Sequence, residues 1–210
     1  MAQHETGIRS LLALPRAYDL FQNLVGAAEL RRRFVREILK PFPGARVLDI
    51  GCGTAELLGF LPREIEYTGY DMSPAYIEAA QARFGDRGTF LCEPVRSGTG
   101  DSAPYGEEQY DIALAFGVLH HLDDAEGKQL FASARSALKP TGRVVTIDPA
   151  FVPGQSAAAR YFVSRDRGRN VRTPEGFAAL AAGSFARVDS VHWHGALRIP
   201  YDHAVVAAVP

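Results

Sequence analysis

Residues Val47 to Ala55 read Val-Leu-Asp-Ile-Gly-Cys-Gly-Thr-Ala, an apolar run that breaks into a glycine turn and then a helical pattern. A strand ending this way lets a ligand touch backbone, because Gly51 and Gly53 place no Cβ in its path. Roughly twenty positions on, Glu66-Tyr-Thr-Gly-Tyr70 runs into Asp71, so a second strand carries a carboxylate toward the same end of a sheet. A nucleoside fits between the two. Further along, His120 and His121 bring side chains that can take a proton near neutral pH, either as a general base or simply as part of a pocket wall.

Positioning these groups requires a particular order of elements. From Tyr18 to Lys40 apolar residues recur at helical spacing until Pro41 stops the pattern, giving a leading helical arm over 1–43. Beyond it, short β-branched runs alternate with helical patterns: Arg46 to Ile50, a helix from Thr54, Glu66 to Tyr70, a helix from Ser73, Thr89 to Cys92, Ile112 to Phe116, a helix from Asp123, and Arg143 to Asp148. Such alternation predicts a parallel sheet covered on both faces. Ser73-Pro74 and Thr173-Pro174 each pair an N-cap with a first-turn proline, and Lys139-Pro-Thr-Gly142 is expected to close the helix before strand five. Arg187 to His194 and His203 to Val209 lie too close together for a crossover helix, so they should pair antiparallel as a closing hairpin. Val95 to Gln109 reads as a surface loop.

Composition bounds the partners. The 210 residues are 47% hydrophobic, enough for one full core but not for a second large domain. A formal net charge of −1, with the basic residues spread along the chain, makes no electrostatic case for a nucleic-acid groove, so small-molecule partners are expected. No apolar run approaches the roughly 18 residues of a membrane span, and Met1 to Ser10 lacks an apolar signal core, which leads to an expected cytoplasmic location without stable membrane insertion. Cys52 and Cys92 are expected to be small buried fillers rather than a disulfide. Oligomeric state is not readable.

Taken in order, these residues resemble the class I S-adenosylmethionine-dependent methyltransferases. The markers are Val47-Leu-Asp-Ile-Gly-Cys-Gly-Thr, Asp71 at the end of strand two, Tyr110-Asp-Ile-Ala with Leu119-His-His-Leu122, Leu138-Lys-Pro-Thr-Gly142, and the closing hairpin. The resemblance implies an α/β fold: a Rossmann-like three-layer sandwich whose seven-stranded, mostly parallel sheet has an antiparallel last strand. It implies a methyltransferase domain over 44–210, with 151–183 inserted on the acceptor side, that transfers the methyl group of S-adenosyl-L-methionine to a small molecule. The methionine end of that cofactor would lie against Gly51 and Gly53 near a helix N-terminus, with Asp49 holding its amino group or bracing the loop. Asp71 would accept from the ribose hydroxyls or merely begin an Asx turn, and Met72 would pack on the adenine. Glu93 stands where relatives place an aspartate near the adenine amino group, and Phe116 ends strand four on the cofactor side. Ala55 replaces the third loop glycine, which is tolerable where φ stays negative.

The acceptor side is less specific. His121, His120 and His194 are the candidate bases, and Tyr18, Asp148, Arg198 and Tyr201 the candidate substrate contacts; His203 belongs with them by position. The loop Gly195 to Asp202 joins a parallel strand six to an antiparallel strand seven and should overhang the site, unless it is an ordinary solvated hairpin loop. Arg160, Arg165, Arg167, Arg169 and Arg172 would suit an anionic acceptor or form a solvated face. No metal ligands stand out. One rival is a protein that binds S-adenosylmethionine without transferring methyl. The other is a nicotinamide oxidoreductase, whose G-x-G-x-x-G pattern fails here because Glu56 occupies the last glycine position.

Overall fold

The computed structural model describes residues 25–94, 105–166 and 168–210, so Tyr18, Phe21 and Arg167 lie outside the described residues. Seven strands form one sheet in the order β3-β2-β1-β4-β5-β7-β6. They are β1 (Arg46–Ile50), β2 (Glu66–Asp71), β3 (Gly88–Cys92), β4 (Tyr110–Phe116), β5 (Leu138–Pro149), β6 (Arg187–Trp193) and β7 (His203–Val209). The first five run parallel, and β7 inserts antiparallel between β5 and β6. This is the expected seven-stranded α/β sandwich with its closing hairpin.

Side-chain alternation along the central strands separates the core into two layers. Ile112 and Leu114 of β4 pack with Leu30, Phe34, Leu58 and Phe84, whereas Ala113 and Ala115 face Leu130, Phe131, Phe177 and Leu180. The first layer is supplied by α1 (Ala27–Arg33), its π-helical continuation Phe34–Leu39, and α2 (Pro74–Phe84). The second comes from α3 (Asp124–Ala137) and α5 (Pro174–Ala181). The caps are those the sequence signals: the Thr173 side chain accepts from the Gly176 N–H, and Asp123 with Glu126 completes a capping box.

Three local expectations are corrected. The helix from Thr54 is only a 3-10 segment, Glu56–Phe60, because left-handed backbone continues through Ala55 (φ 55°) and uses up the residues of a first turn. Ala55 therefore does not keep the negative φ its side chain prefers; its methyl is fully buried, which offsets part of that cost. Strand five starts at Leu138, not Arg143. Leu138 pairs with Tyr110, a bulge follows, and pairing resumes at Ile112 with Arg143. A Cβ on Gly142 would lie 3.0 Å from the Tyr110 carbonyl oxygen, so glycine lets the bulge return against β4. Finally, Cys52 is half-buried but Cys92 is exposed, and both thiols are free.

Between β5 and α5 the chain forms its own helix, α4 (Ala157–Ser164), with Ala150 bridging to Arg172. No helix among the described residues is long and apolar enough to cross a membrane.

Candidate active site

Three consecutive odd positions, Gly51, Gly53 and Ala55, carry positive φ and curl the chain at the carboxyl end of β1. The N–H groups of Gly51 and Cys52 both donate to the Tyr70 carbonyl, at 2.7 and 2.9 Å. Asp71 fixes the rest: Oδ2 accepts from the Gly53 N–H and Oδ1 from the Ser73 N–H, each at 2.9 Å. The Asx turn is thus real, and the same carboxylate also ties the glycine loop to β2. Each oxygen keeps a second lone pair for a further donor.

The two loop glycines do different work. A Cβ on Gly51 would sit 2.6 Å from Val118 Cγ2, a stiff β-branched side chain, whereas one on Gly53 would meet nothing within 4 Å. Gly51→Ala is therefore expected to cost about 2–4 kcal/mol, and Gly53→Ala only about 1–2 kcal/mol from its backbone strain. Urea unfolding of the two variants checks the order; equal losses would contradict it.

Asp49 lies beneath this loop, 2% exposed, and accepts from the Tyr67 hydroxyl at 2.6 Å through Oδ2. Its Oδ1 is buried with no partner. Burial pushes the carboxyl up to about 7 against the Tyr67 hydrogen bond, with the Asp71 charge adding to the rise. An unpaired buried oxygen costs free energy, so the arrangement suits a cationic donor such as an α-ammonium group. Met72 is 75% exposed beside Asp71, an apolar surface with no protein cover. Glu93 follows β3, its N–H donating to the Asp71 carbonyl at 3.0 Å, so its side chain is rooted next to Asp71. Phe116 packs edge-on to Phe34 at 5.2 Å, with the Arg31 guanidinium 6.0 Å from its ring. Arg31 also pairs with Glu56 at 2.6 Å, which holds that carboxylate beside the loop. The unpartnered Oδ1 of Asp49, the open space at Gly53 and exposed Met72 are compatible with the amino, methionine and adenine parts of S-adenosylmethionine.

On the other side of β4 the structure builds a network that sequence spacing does not reveal. His120, 5% exposed, places Nδ1 2.8 Å from Asp148 Oδ1 and Nε2 3.0 Å from Asp166 Oδ1. The Tyr201 hydroxyl donates to Asp166 Oδ2 at 2.6 Å. Burial alone would lower the His120 pKa, but Asp148 and Asp166 outweigh it and lift it to about 9. Burial works against Asp166 as well, yet His120, Tyr201 and the Gly168 N–H hold it well below the ordinary carboxylate range. Both ring nitrogens of His120 are thus engaged by carboxylates, which leaves neither to receive a substrate proton. Asp148 Oδ2 and His203 Nδ1 are buried without partners, and burial pushes His203 down to about 4, so it is neutral. His121 is exposed, its ring centroid 4.0 Å from that of His120. No periodic signal in the sequence links Asp166 to His120.

The Gly195–Asp202 loop leans on the N-terminal helix. The Arg198 N–H donates to the Val25 carbonyl at 2.9 Å, and Arg33 donates to the Gly195 carbonyl at 3.0 Å while lying over Trp193. His194 is 77% exposed and contacts Asp202. Arg160, Arg165 and Arg172 make separate contacts. Arg172 clamps Asp124 and the carbonyls of Leu119, Leu122 and Asn170, while Arg160 and Arg165 lie over Phe151 and Tyr161. Arg172 is a structural tie.

Comparison with known proteins agrees with this geometry. A methyltransferase domain family matches residues 48–144. The ubiquinone biosynthesis O-methyltransferase of Brucella anthropi is 32% identical over 164 residues, covering 72% of this chain and 64% of that protein. The ubiquinone/menaquinone biosynthesis C-methyltransferase UbiE of Geotalea daltonii is 28% identical over 151 residues, covering 64% and 60%. The chain therefore spans about three fifths of the length of these relatives. Among solved structures, the pyocyanin biosynthetic protein PhzM shares the fold with a TM-score of 0.71 at 19% identity, over 97% of this chain and 62% of that one. Sheet order, glycine loop, acidic strand end and these matches agree: residues 48–144 match a methyltransferase domain family, and the chain resembles the class I S-adenosylmethionine-dependent methyltransferases.

Proposed function

We propose that the chain binds S-adenosyl-L-methionine over the carboxyl ends of β1 and β2 and transfers its methyl group to a small-molecule acceptor on the β4–β5 side. The observation that carries the reading is the pairing of Asp71, braced on the glycine loop, with the unpartnered Oδ1 of buried Asp49. When bound, the cofactor supplies a methyl group on a sulfonium, which departs as a neutral thioether.

The protein's part is binding and alignment. Gly51 lets the loop close on Val118 and Gly53 leaves room for the methionine end; Asp49 Oδ1 takes its ammonium, Asp71 takes the ribose hydroxyls, and Met72 and Glu93 meet the adenine. Phe116 and the α1 face close the cofactor from above. Asp148, Tyr201 and Arg198 border the acceptor side, with the Gly195–Asp202 loop as its outer wall. Orientation of a nucleophile behind the methyl carbon in a dry site is worth roughly 7–11 kcal/mol. His120 acts as a positioning residue, because its charge is spent on Asp148 and Asp166. His121, exposed beside it, remains the group placed to assist a phenol or alcohol acceptor, and an amine or carboxylate needs little base.

Release of S-adenosylhomocysteine in the presence of a panel of phenols, amines and carboxylates tests the reading. Acceptor-dependent release supports transfer. Tight cofactor binding with no release for any acceptor class favours a protein that binds S-adenosylmethionine without using its methyl.

A further inference from the structure

His192 is the penultimate residue of the edge strand β6 and His194 immediately follows its last residue, Trp193, two positions on. Pairing of Trp193 with His203 brings the start of β7 beside them, and Asp202 immediately precedes it. Asp202 Oδ1 lies 2.8 Å from His192 Nε2 and 2.9 Å from His194 Nδ1. The three donor atoms all fall within 4.8 Å of one another, the one such His, Cys or carboxylate grouping found among the described residues.

From this convergence we propose that His192, His194 and Asp202 bind one divalent transition-metal ion of the zinc, cobalt or nickel class. Two imidazoles and one carboxylate match the preference of those ions, whereas calcium and magnesium favour all-oxygen sets. Ions of this class sit about 2.0–2.2 Å from nitrogen and oxygen donors, so a carboxylate oxygen 2.8 and 2.9 Å from two imidazole nitrogens, all three atoms within 4.8 Å, can open to share one. The carboxylate is oriented from behind. Its Oδ2 accepts from Gln155 Nε2 at 2.8 Å, and the same Gln155 nitrogen is anchored to the Ala150 carbonyl at 3.1 Å. Such outer partners hold a ligand in place before the ion arrives. The Asp202 side chain is 3% exposed while the His194 side chain is 77% exposed, so protein closes one side and water can fill the remaining positions on the other. On binding, the ring nitrogen that now faces Asp202 would present its lone pair to the ion while the other ring nitrogen carries the N–H; no redox change is involved.

The site is separate from the glycine loop, because β6 lies at the sheet edge with β7, β5 and β4 between it and β1. An ion there would pin the end of the β6–β7 hairpin, whose loop contacts the N-terminal helix at Val25 and Arg33.

The test is a titration of untagged, chelator-treated protein with Co2+, read by visible d–d absorption, and with Zn2+ by calorimetry. The expected result is one saturable ion per chain, lost in the His192→Ala/His194→Ala double variant and weakened about 10- to 100-fold in Gln155→Leu. His194→Ala, altering an exposed side chain, should also abolish the cobalt spectrum while leaving the metal-free thermal midpoint in place. Absence of saturable binding, or undiminished affinity in the double variant, would overturn the proposal, since the chain carries four other histidines that could bind metal nonspecifically.

Discussion

Replacing Asp71 by alanine is expected to weaken S-adenosylmethionine binding on the order of 100-fold, about 2.7 kcal/mol. The carboxylate accepts from the N–H groups of Gly53 and Ser73, so its loss releases the glycine loop from β2 and removes the proposed ribose acceptors at once. A hydrogen bond to a charged group contributes about 1.5–3 kcal/mol, so losing even one ribose contact accounts for most of the effect. Asp71→Asn, which keeps one carbonyl oxygen, should fall between wild type and alanine. Calorimetric titration measures the affinities, and circular dichroism confirms that each variant folds. Unchanged affinity in folded Asp71→Ala would place the nucleoside elsewhere.

The second large effect falls on stability. His120→Ala is expected to cost about 3–5 kcal/mol, because it strands the Asp148 carboxylate, 2% exposed, without its cationic partner. At roughly 2–4 °C per kcal/mol for a chain of this size, the thermal midpoint should drop by about 10 °C. The same pair gives a pH signature. The folded-state pKa of His120 is raised from 6.5 to about 9, so its contribution is fully present below pH 6.5 and is lost as pH rises through 9. That contribution is roughly 3 kcal/mol at 1.36 kcal/mol per pKa unit. Urea midpoints should therefore decline from pH 6.5 to 9 in the wild type, and His120→Gln should remove this part of the decline. A pH-independent midpoint across that range in wild type would contradict the paired state.

The arrangement of strands was legible because it is a matter of local pattern: β-branched runs, N-caps and glycine breaks each act over a few residues. Asp71 was legible for the same reason: the Asx turn to Ser73 is present, and the ribose contact is the proposal built on it. The sign of φ at Ala55 was not legible, because a continuing left-handed curl in the loop overrides the residue's own preference. Strand five likewise begins early since fully buried Leu138 gains more by pairing with Tyr110 than by ending the helix in a turn. The polar networks were hidden for a different reason. Tyr67 reaches Asp49 only through the register of β1 against β2, and Asp166 reaches His120 from a connection 46 positions away, where no periodicity applies. His192 and Asp202 were hidden on the same account, since only the pairing of Trp193 with His203 brings the end of β6 beside the residue that precedes β7.

The claim that these residues form a cofactor site for methyl transfer is tested most directly by titrating the protein with S-adenosylmethionine, S-adenosylhomocysteine and NADH. Micromolar binding of both S-adenosyl compounds, in competition with each other and without NADH binding, is the predicted result. NADH binding in place of the S-adenosyl compounds, or binding of none of the three, would contradict it.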